Sequence, residues 1–393
     1  MSGSGDLRGS ADERRGSLAT IVGFLAACVA IGVGVYGGLA LTGSKPDGPI
    51  RTAGAAGHVR PQHAGSSVPL AGKIRAPRGR GVLWGVFEQG APFSTSRLAA
   101  VEKAVHRRPA IVMWYEAWDG RPSFPADAAR RLTSRGIVPM VTWEPWRSPS
   151  VLGQLVVRQP QYRLRRIADG AFDSYIRDYA AQVRRFGGPV MLRPFHEMDG
   201  FWYPWGGTVN GNTGAAFVAA WRHIHRIFDE MGASNVTWVW SVNHESVPAT
   251  PANTPPRYWP GGRYVDWIGI SGFNWGTSSS FGAWITFDQI YRKRIGELLR
   301  FKKPIVLSEI GAAEVGGSKP AWIRATFATI VGRYPSVRAL VWYDKRDSSL
   351  QDWRIDSSAA SATAFRSSVE RPALLSAPAA DPSASRVRST HSR

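Results

Sequence analysis

Pro189-Val-Met-Leu-Arg-Pro-Phe-His-Glu-Met-Asp-Gly-Phe-Trp-Tyr-Pro-Trp205 is the stretch from which the rest of the chain can be read. Val190-Met191-Leu192 is a short apolar run with the character of a buried strand. It breaks at Arg193-Pro194 and is followed at once by His196 and Glu197, then by Trp202, Tyr203 and Trp205. A carboxyl group at a strand end beside flat aromatic rings suits sugar chemistry: pyranose faces stack on indoles, and a carboxylic acid can protonate a glycosidic oxygen. A second run, Pro304-Ile-Val-Leu-Ser-Glu-Ile-Gly311, is again an apolar strand ending in a glutamate, Glu309.

Working outward from these two runs, eight strand-like segments emerge. They are Val82–Phe87, Ile111–Tyr115, Ile137–Trp143, Val190–Leu192, Val236–Trp240, Val265–Ile270, Ile305–Leu307 and Ala339–Tyr343. Several are continuous apolar runs, as expected of strands covered on both faces. Helical patterns fall at 94–106, 125–134, 171–186, 213–231, 287–301, 321–334 and 357–369. The connection 243–263 is rich in Pro and Gly and shows no clear helix. Alternation of this kind predicts an α/β chain folded as a (β/α)8 TIM barrel. An open doubly wound sheet ranks behind it, because no Gly-rich phosphate loop opens a helix.

Composition limits the alternatives. The 393 residues include 17 Trp, and 44% of them are hydrophobic, which excludes a mostly disordered chain. The tryptophan excess is expected to form sugar-stacking surface in addition to core. The net charge of +20 comes from 49 Lys+Arg against 29 Asp+Glu. The basic residues are dispersed, with no recognition helix, zinc spacing or RNA motif, so nucleic acid is not expected as a partner. Basic tails and an acidic envelope surface account for the charge.

Cys28, the single cysteine, excludes intramolecular disulfides. It lies in Leu18–Leu41, an uncharged apolar segment of roughly two dozen residues, long enough to span a bilayer. Arg8, Arg14 and Arg15 precede it, which places the N-terminus in the cytoplasm. The expected organisation is a cytoplasmic N-terminus (1–17), a transmembrane signal anchor (18–41), a flexible linker (42–79), the barrel (80–371) and a disordered tail (372–393). The barrel would then sit outside the cell membrane. Leu25-Ala-Ala-Cys28 also resembles a lipoprotein cleavage box and Arg14-Arg15 a twin-arginine signal, and either would still export the barrel.

In such a barrel the functional groups gather where strands end. That rule brings together Glu144, Arg193, His196, Glu197, Asn243, Phe273-Asn274-Trp275, Glu309 and Trp342-Tyr343-Asp344. Glycoside hydrolysis with retention needs two carboxyl groups about 5–5.5 Å apart, and Glu197 and Glu309 are the candidates. Arg193 would keep the ionised partner charged, His196 would bond substrate or carboxylate, and Glu144 would bind a sugar hydroxyl. A zinc reading of His196-Glu197 fails because Gly200 stands where a second histidine would be needed. His223 and His225 cannot share a helix face. No metal and no cofactor are expected.

These pieces resemble glycoside hydrolase family 26, best known for β-mannanases and built on a clan A (β/α)8 barrel. The matching parts are Trp143-Glu-Pro-Trp146, Arg193–Gly200 with Trp202 and Trp205, Val265–Gly269 leading to Phe273-Asn-Trp275, Ser308-Glu-Ile-Gly311, and Trp342. The resemblance implies a retaining endo-β-glycosidase with Glu197 as acid/base and Glu309 as nucleophile. It further implies Arg193 and His196 as supporting groups, Trp202 and Trp275 in substrate contact, and Trp342 as a stacking platform. The implied substrate is a β-linked polysaccharide, β-1,4-mannan first, with mixed-linkage glucan or β-1,3-xylan as minority activities. Transglycosylation would use the same intermediate. A glycan-binding or exopolysaccharide-processing accessory protein is the alternative of a different class. Two positions depart from the family pattern: Asp199 stands where relatives often carry Asn, and Phe273 where they commonly carry Tyr.

Overall fold

A computed structural model describes residues 72–152 and 156–378. Eight parallel strands close into a barrel: β1 Val82–Glu88, β2 Ile111–Ala117, β3 Val138–Glu144, β4 Val190–Pro194, β5 Val236–Asn243, β6 Trp267–Asn274, β7 Ile305–Ala312 and β8 Val337–Asp344. Each pairs with the next, and β8 closes on β1 with Leu83 opposite Ala339 and Glu88 opposite Asp344. The outer layer is built from α1 Ser96–Val105, α2 Ala126–Thr133, α3 Asp173–Phe186, α4 Gly214–Glu230, α5 Phe287–Leu298, α6 Lys319–Arg333 and α7 Ala359–Val369. After β5 the chain makes only short 3-10 turns at Pro255–Tyr258 and Gly262–Tyr264, as its Pro/Gly content predicts.

Strand alternation divides the apolar residues into two layers. Leu83, Phe87, Ile111, Met113, Met140, Met191, Val239, Val306, Val341 and Tyr343 fill the barrel interior. Residues of opposite parity, such as Trp84, Trp114, Trp143, Trp240 and Trp342, pack outward against the helices. Most of the tryptophan excess is therefore core. Ten of the largest fully buried side chains are Trp, so the expectation of a surplus of stacking surface is corrected. The space between a strand and its covering helix is wide, and an indole fills it with a large apolar area.

The barrel also extends past the expected linker boundary at 79. Ile74 is buried, its N–H donates to Thr237 Oγ1 at 2.7 Å, and its carbonyl accepts from Trp267 Nε1 at 2.9 Å. Lys73 reaches Asp266, whose carboxylate also accepts from Trp238 N–H, a structural role for that aspartate. At the other end, Leu374–Leu375 forms β9 alongside Val82 and Leu83, so order continues past the expected tail boundary at 372. The expected membrane span 18–41 lies outside the described residues. Among the described residues no helix is long and apolar enough to cross a membrane.

Candidate active site

Inward parity at the C-terminal strand ends selects the side chains of the site. On β3 it selects Thr142 and Glu144, on β4 Arg193, on β5 Ser241 and on β6 Ser271. Arg193 is fully buried and reaches side chains of β3, β5, β6 and β7. Its Nε donates to Thr142 Oγ1 at 2.9 Å, and Nη1 faces the hydroxyls of Ser241 and Ser271 at 3.5 and 3.4 Å. Its Nη2 donates to Glu309 Oε1 at 2.5 Å. Burial without such partners would be costly for a guanidinium; here the carboxylate and three hydroxyls replace water.

Glu309 points inward because β7 is irregular. Leu307 pairs with Ile270, but Glu309 rather than Ser308 pairs with Ser271. Ser308 is the extra residue of a β-bulge, its hydroxyl 2.9 Å from that of Ser241. Strict alternation from Val306 would have turned Glu309 into the helical layer; the bulge turns it back into the mouth.

Glu197 follows β4 in a tight turn where Phe195 and Glu197 both adopt a left-handed backbone, each with φ of 53°. This is uncommon for residues with a Cβ and costs free energy that the surroundings must supply. Glu197 N–H donates to the Ser241 carbonyl and its carbonyl accepts from Gly200 N–H, both at 2.9 Å. Asp199 anchors the same turn. Its carboxylate accepts from Asn243 N–H and Ser246 Oγ at 2.9 Å each and from Arg294 Nη2 at 3.2 Å. Asp199, which departs from the family's usual Asn, is buried and paired with Arg294.

One ligating oxygen of Glu197, one of Glu309 and a ring nitrogen of His196 all lie within 4.8 Å of one another. Burial, and then the nearby Glu309 charge, push the Glu197 carboxyl up to about 8. A hydrogen bond from Trp202 Nε1 to Glu197 Oε2 at 2.7 Å partly offsets this. Glu197 is thus neutral at pH 7, while Glu309 is bound by the Arg193 guanidinium. His196 is held neutral by burial and by the Arg193 charge. The same trio is the group among the described residues that could hold a cation, but the Arg193 guanidinium bound to Glu309 opposes one.

Several buried polar atoms at the mouth have no hydrogen-bond partner: both ring nitrogens of His196, the hydroxyls of Tyr115 and Tyr343, and Asn274 Nδ2. Buried polar groups are normally satisfied, so these are sites for a hydroxyl-rich ligand. Glu144 lies beside them, buried, accepting from Trp146 Nε1 at 3.2 Å and 3.8 Å from His196 Nδ1. Tyr343 was gathered by the strand-end rule, whereas Tyr115 is a functional candidate that the rule did not single out. Inward parity on β2 was the signal that could have found it.

The remaining aromatic candidates separate by burial. Trp275 is half-buried at the mouth, edge-on to Trp353 at 4.9 Å. Trp202 is buried and supports Glu197. Tyr203 and Trp205 stack at 4.5 Å beneath His196, so they are support rather than platform. Trp342 is a correction: it is fully buried in the helical layer, edge-on to Phe365 at 5.2 Å, with Nε1 bonded to the Trp353 carbonyl. Its outward parity keeps it from any sugar. Phe273 packs against Tyr343, Trp275 and Trp353.

A closed parallel (β/α)8 barrel thus carries a pair of buried glutamates, Glu197 and Glu309, at the ends of β4 and β7. Residues 161–314 match the model of glycosyl hydrolase family 26. Endoglucanase H of Acetivibrio thermocellus is 34% identical over 283 residues, covering 71% of this chain and 29% of that protein. Mannan endo-1,4-beta-mannosidase A and B of Caldalkalibacillus mannanilyticus is 29% identical over 173 residues, covering 42% and 30%. The chain thus spans less than a third of either relative's length. The GH26 beta-mannanase BoMan26A of Bacteroides ovatus has the same fold, with a TM-score of 0.57 and 20% identity over 75% of this chain and 90% of that one.

Proposed function

We propose that this chain is a retaining endo-β-glycosidase that hydrolyses β-1,4-mannan. The observation that carries the reading is the carboxyl pair: Glu197, its carboxyl pushed up to about 8, and Glu309, bound by Arg193, with oxygens within 4.8 Å. That separation suits direct attack on the anomeric carbon and is shorter than the roughly 6.5–9.5 Å an inverting enzyme needs to admit water between them. Arg193 holds Glu309 Oε1, leaving the other oxygen to attack. As the glycosyl–Glu309 ester forms, the C–O bond to the leaving sugar breaks and its oxygen takes the Glu197 proton. Glu197, now a carboxylate, removes a proton from water. The hydroxide so formed displaces Glu309 and returns the sugar with its original anomeric configuration.

A β-glucan is the second reading. It is favoured by the Endoglucanase H match, which extends over more of this chain, at higher identity, than the mannosidase match. Product analysis decides: the full-length protein is assayed on β-1,4-mannan, mixed-linkage β-glucan and β-1,3-xylan, with the anomer followed by NMR. Retained-configuration oligosaccharides from mannan support the proposal, and release from glucan alone moves it to the second reading. Glycan binding without turnover on any polymer would leave only the accessory role.

The same proposal places the barrel outside the cell, tethered through residues 18–41. The composition of that segment and the arginines before it support this reading. Protease accessibility of the barrel on intact cells tests it, and complete protection would refute it.

A further inference from the structure

The loop between β6 and α5 leaves the barrel mouth at Trp275 and ends beside a second groove at Trp284. Phe281, half-buried, lies 5.5 Å from Trp275 along the way. Trp284 is itself half-exposed and closely backed by main chain. A Cβ at Gly317 would fall 2.3 Å from the indole, and one at Gly276 would fall 3.1 Å from it. The ring is therefore held in place, with one part left to solvent.

Trp284 lines a groove of about 410 Å³ together with Trp322, Phe287, Thr286, Thr326 and Thr329. Thr286 caps the N-terminus of α5 and Ser318 that of α6. In a parallel barrel the helix N-termini follow the C-terminal strand ends, so the Thr286 and Ser318 end of the groove lies on the same side of the barrel as the catalytic mouth. Thr326 is 1% exposed and its hydroxyl has no partner. The one carboxylate in the groove, Asp288, is bound by Arg333 and by Tyr334 Oη. The lining thus offers indole faces and hydroxyls with no unpaired charge, which suits a neutral, hydroxyl-bearing chain and not an ionic ligand.

We infer that this groove is a second carbohydrate site, holding a distal stretch of the same polysaccharide whose scissile bond lies between Glu197 and Glu309. The inference rests on the glycosidase reading above. Trp275 and Phe281 form the path between the two sites, and Trp284 is the distal stacking residue.

The test compares Trp284→Ala and Thr329→Arg with the unaltered protein. The second variant fills the groove without removing the indole. Each is assayed on polymeric β-1,4-mannan and mixed-linkage β-glucan, and on the aryl β-disaccharide of each sugar, too short to leave the mouth. The expected result in both variants is a rise in KM for the polymer of about fivefold, with kcat/KM for the disaccharide unchanged. Equal polymer KM in all three proteins overturns the second site, as does a parallel loss on polymer and disaccharide in both variants. If the unaltered protein turns over neither substrate, the glycosidase reading itself falls, and the groove proposal falls with it.

Discussion

Glu197 and Glu309 approach to within 4.8 Å, oxygen to oxygen, although one leaves β4 in a left-handed turn and the other leaves β7 at a bulge. Their environments differ as much as their origins. Glu197 meets an indole N–H and a buried wall; Glu309 meets a guanidinium. Two carboxyls in one site with such different surroundings suit the acid and nucleophile roles of the double displacement proposed above.

The alkaline limb of the pH profile should report Glu197. Activity falls as pH rises through about 8, where Glu197 loses its proton. The Trp202 hydrogen bond favours the charged form, so Trp202→Phe should move that limb to higher pH; a shift downward would refute the contact. Glu197→Gln should slow unactivated substrates by about 10²–10⁴-fold and activated aryl glycosides much less. Equal losses on both would assign the acid to another residue.

Glu309→Ala should remove turnover to below about 10⁻⁴ of the starting rate, because no other group is placed to form the ester. Arg193→Met should also be severe, and it should cost stability by about 3–5 kcal/mol by leaving Glu309 buried and unpaired. Chemical denaturation checks the second effect. A variant as stable as the parent would show that the pair contributes nothing to the fold.

Glu88 ends β1 facing the helical layer, 1% exposed, its carboxyl oxygens without a hydrogen-bond partner. Burial and then the Asp344 charge push it up to about 7, with Arg97 opposing. A carboxyl raised in the folded state binds its proton more tightly there than in the unfolded chain. Its contribution therefore turns unfavourable as pH climbs from the unfolded value of 4.5 through about 7. Glu88→Gln should be more stable than the parent at pH 8, by roughly 1–3 kcal/mol, and the difference should vanish near pH 4. A pH-independent difference in thermal unfolding would refute this.

Trp342→Ala should destabilise the barrel by about 3–5 kcal/mol while leaving the KM of the remaining folded enzyme unchanged. A raised KM at full stability would return Trp342 to the cleft.

The strand runs, the intervening helices and the missing helix after β5 were legible because each is a local pattern of apolar spacing and turn residues. Glu197, Glu309 and Arg193 were legible because chemistry in a barrel concentrates at strand ends. Trp342 was misread because residue type says nothing about facing. Tyr343, its neighbour, has the inward parity, and a one-residue difference reverses the face. The pairing of Asp199 was not legible for a similar reason: only the approach of α5 brings Arg294 to it.

By itself the sequence determined the barrel and named the two carboxyls, since hydrophobic periodicity and strand-end position are written residue by residue. Tertiary structure decided which way Glu309 points, through an extra residue at Ser308 that no period-two pattern announces. It also decided the surroundings of each carboxyl: burial pushes that of Glu197 up, and Arg193 binds that of Glu309. Those surroundings exist only once distant segments close around the same few ångströms.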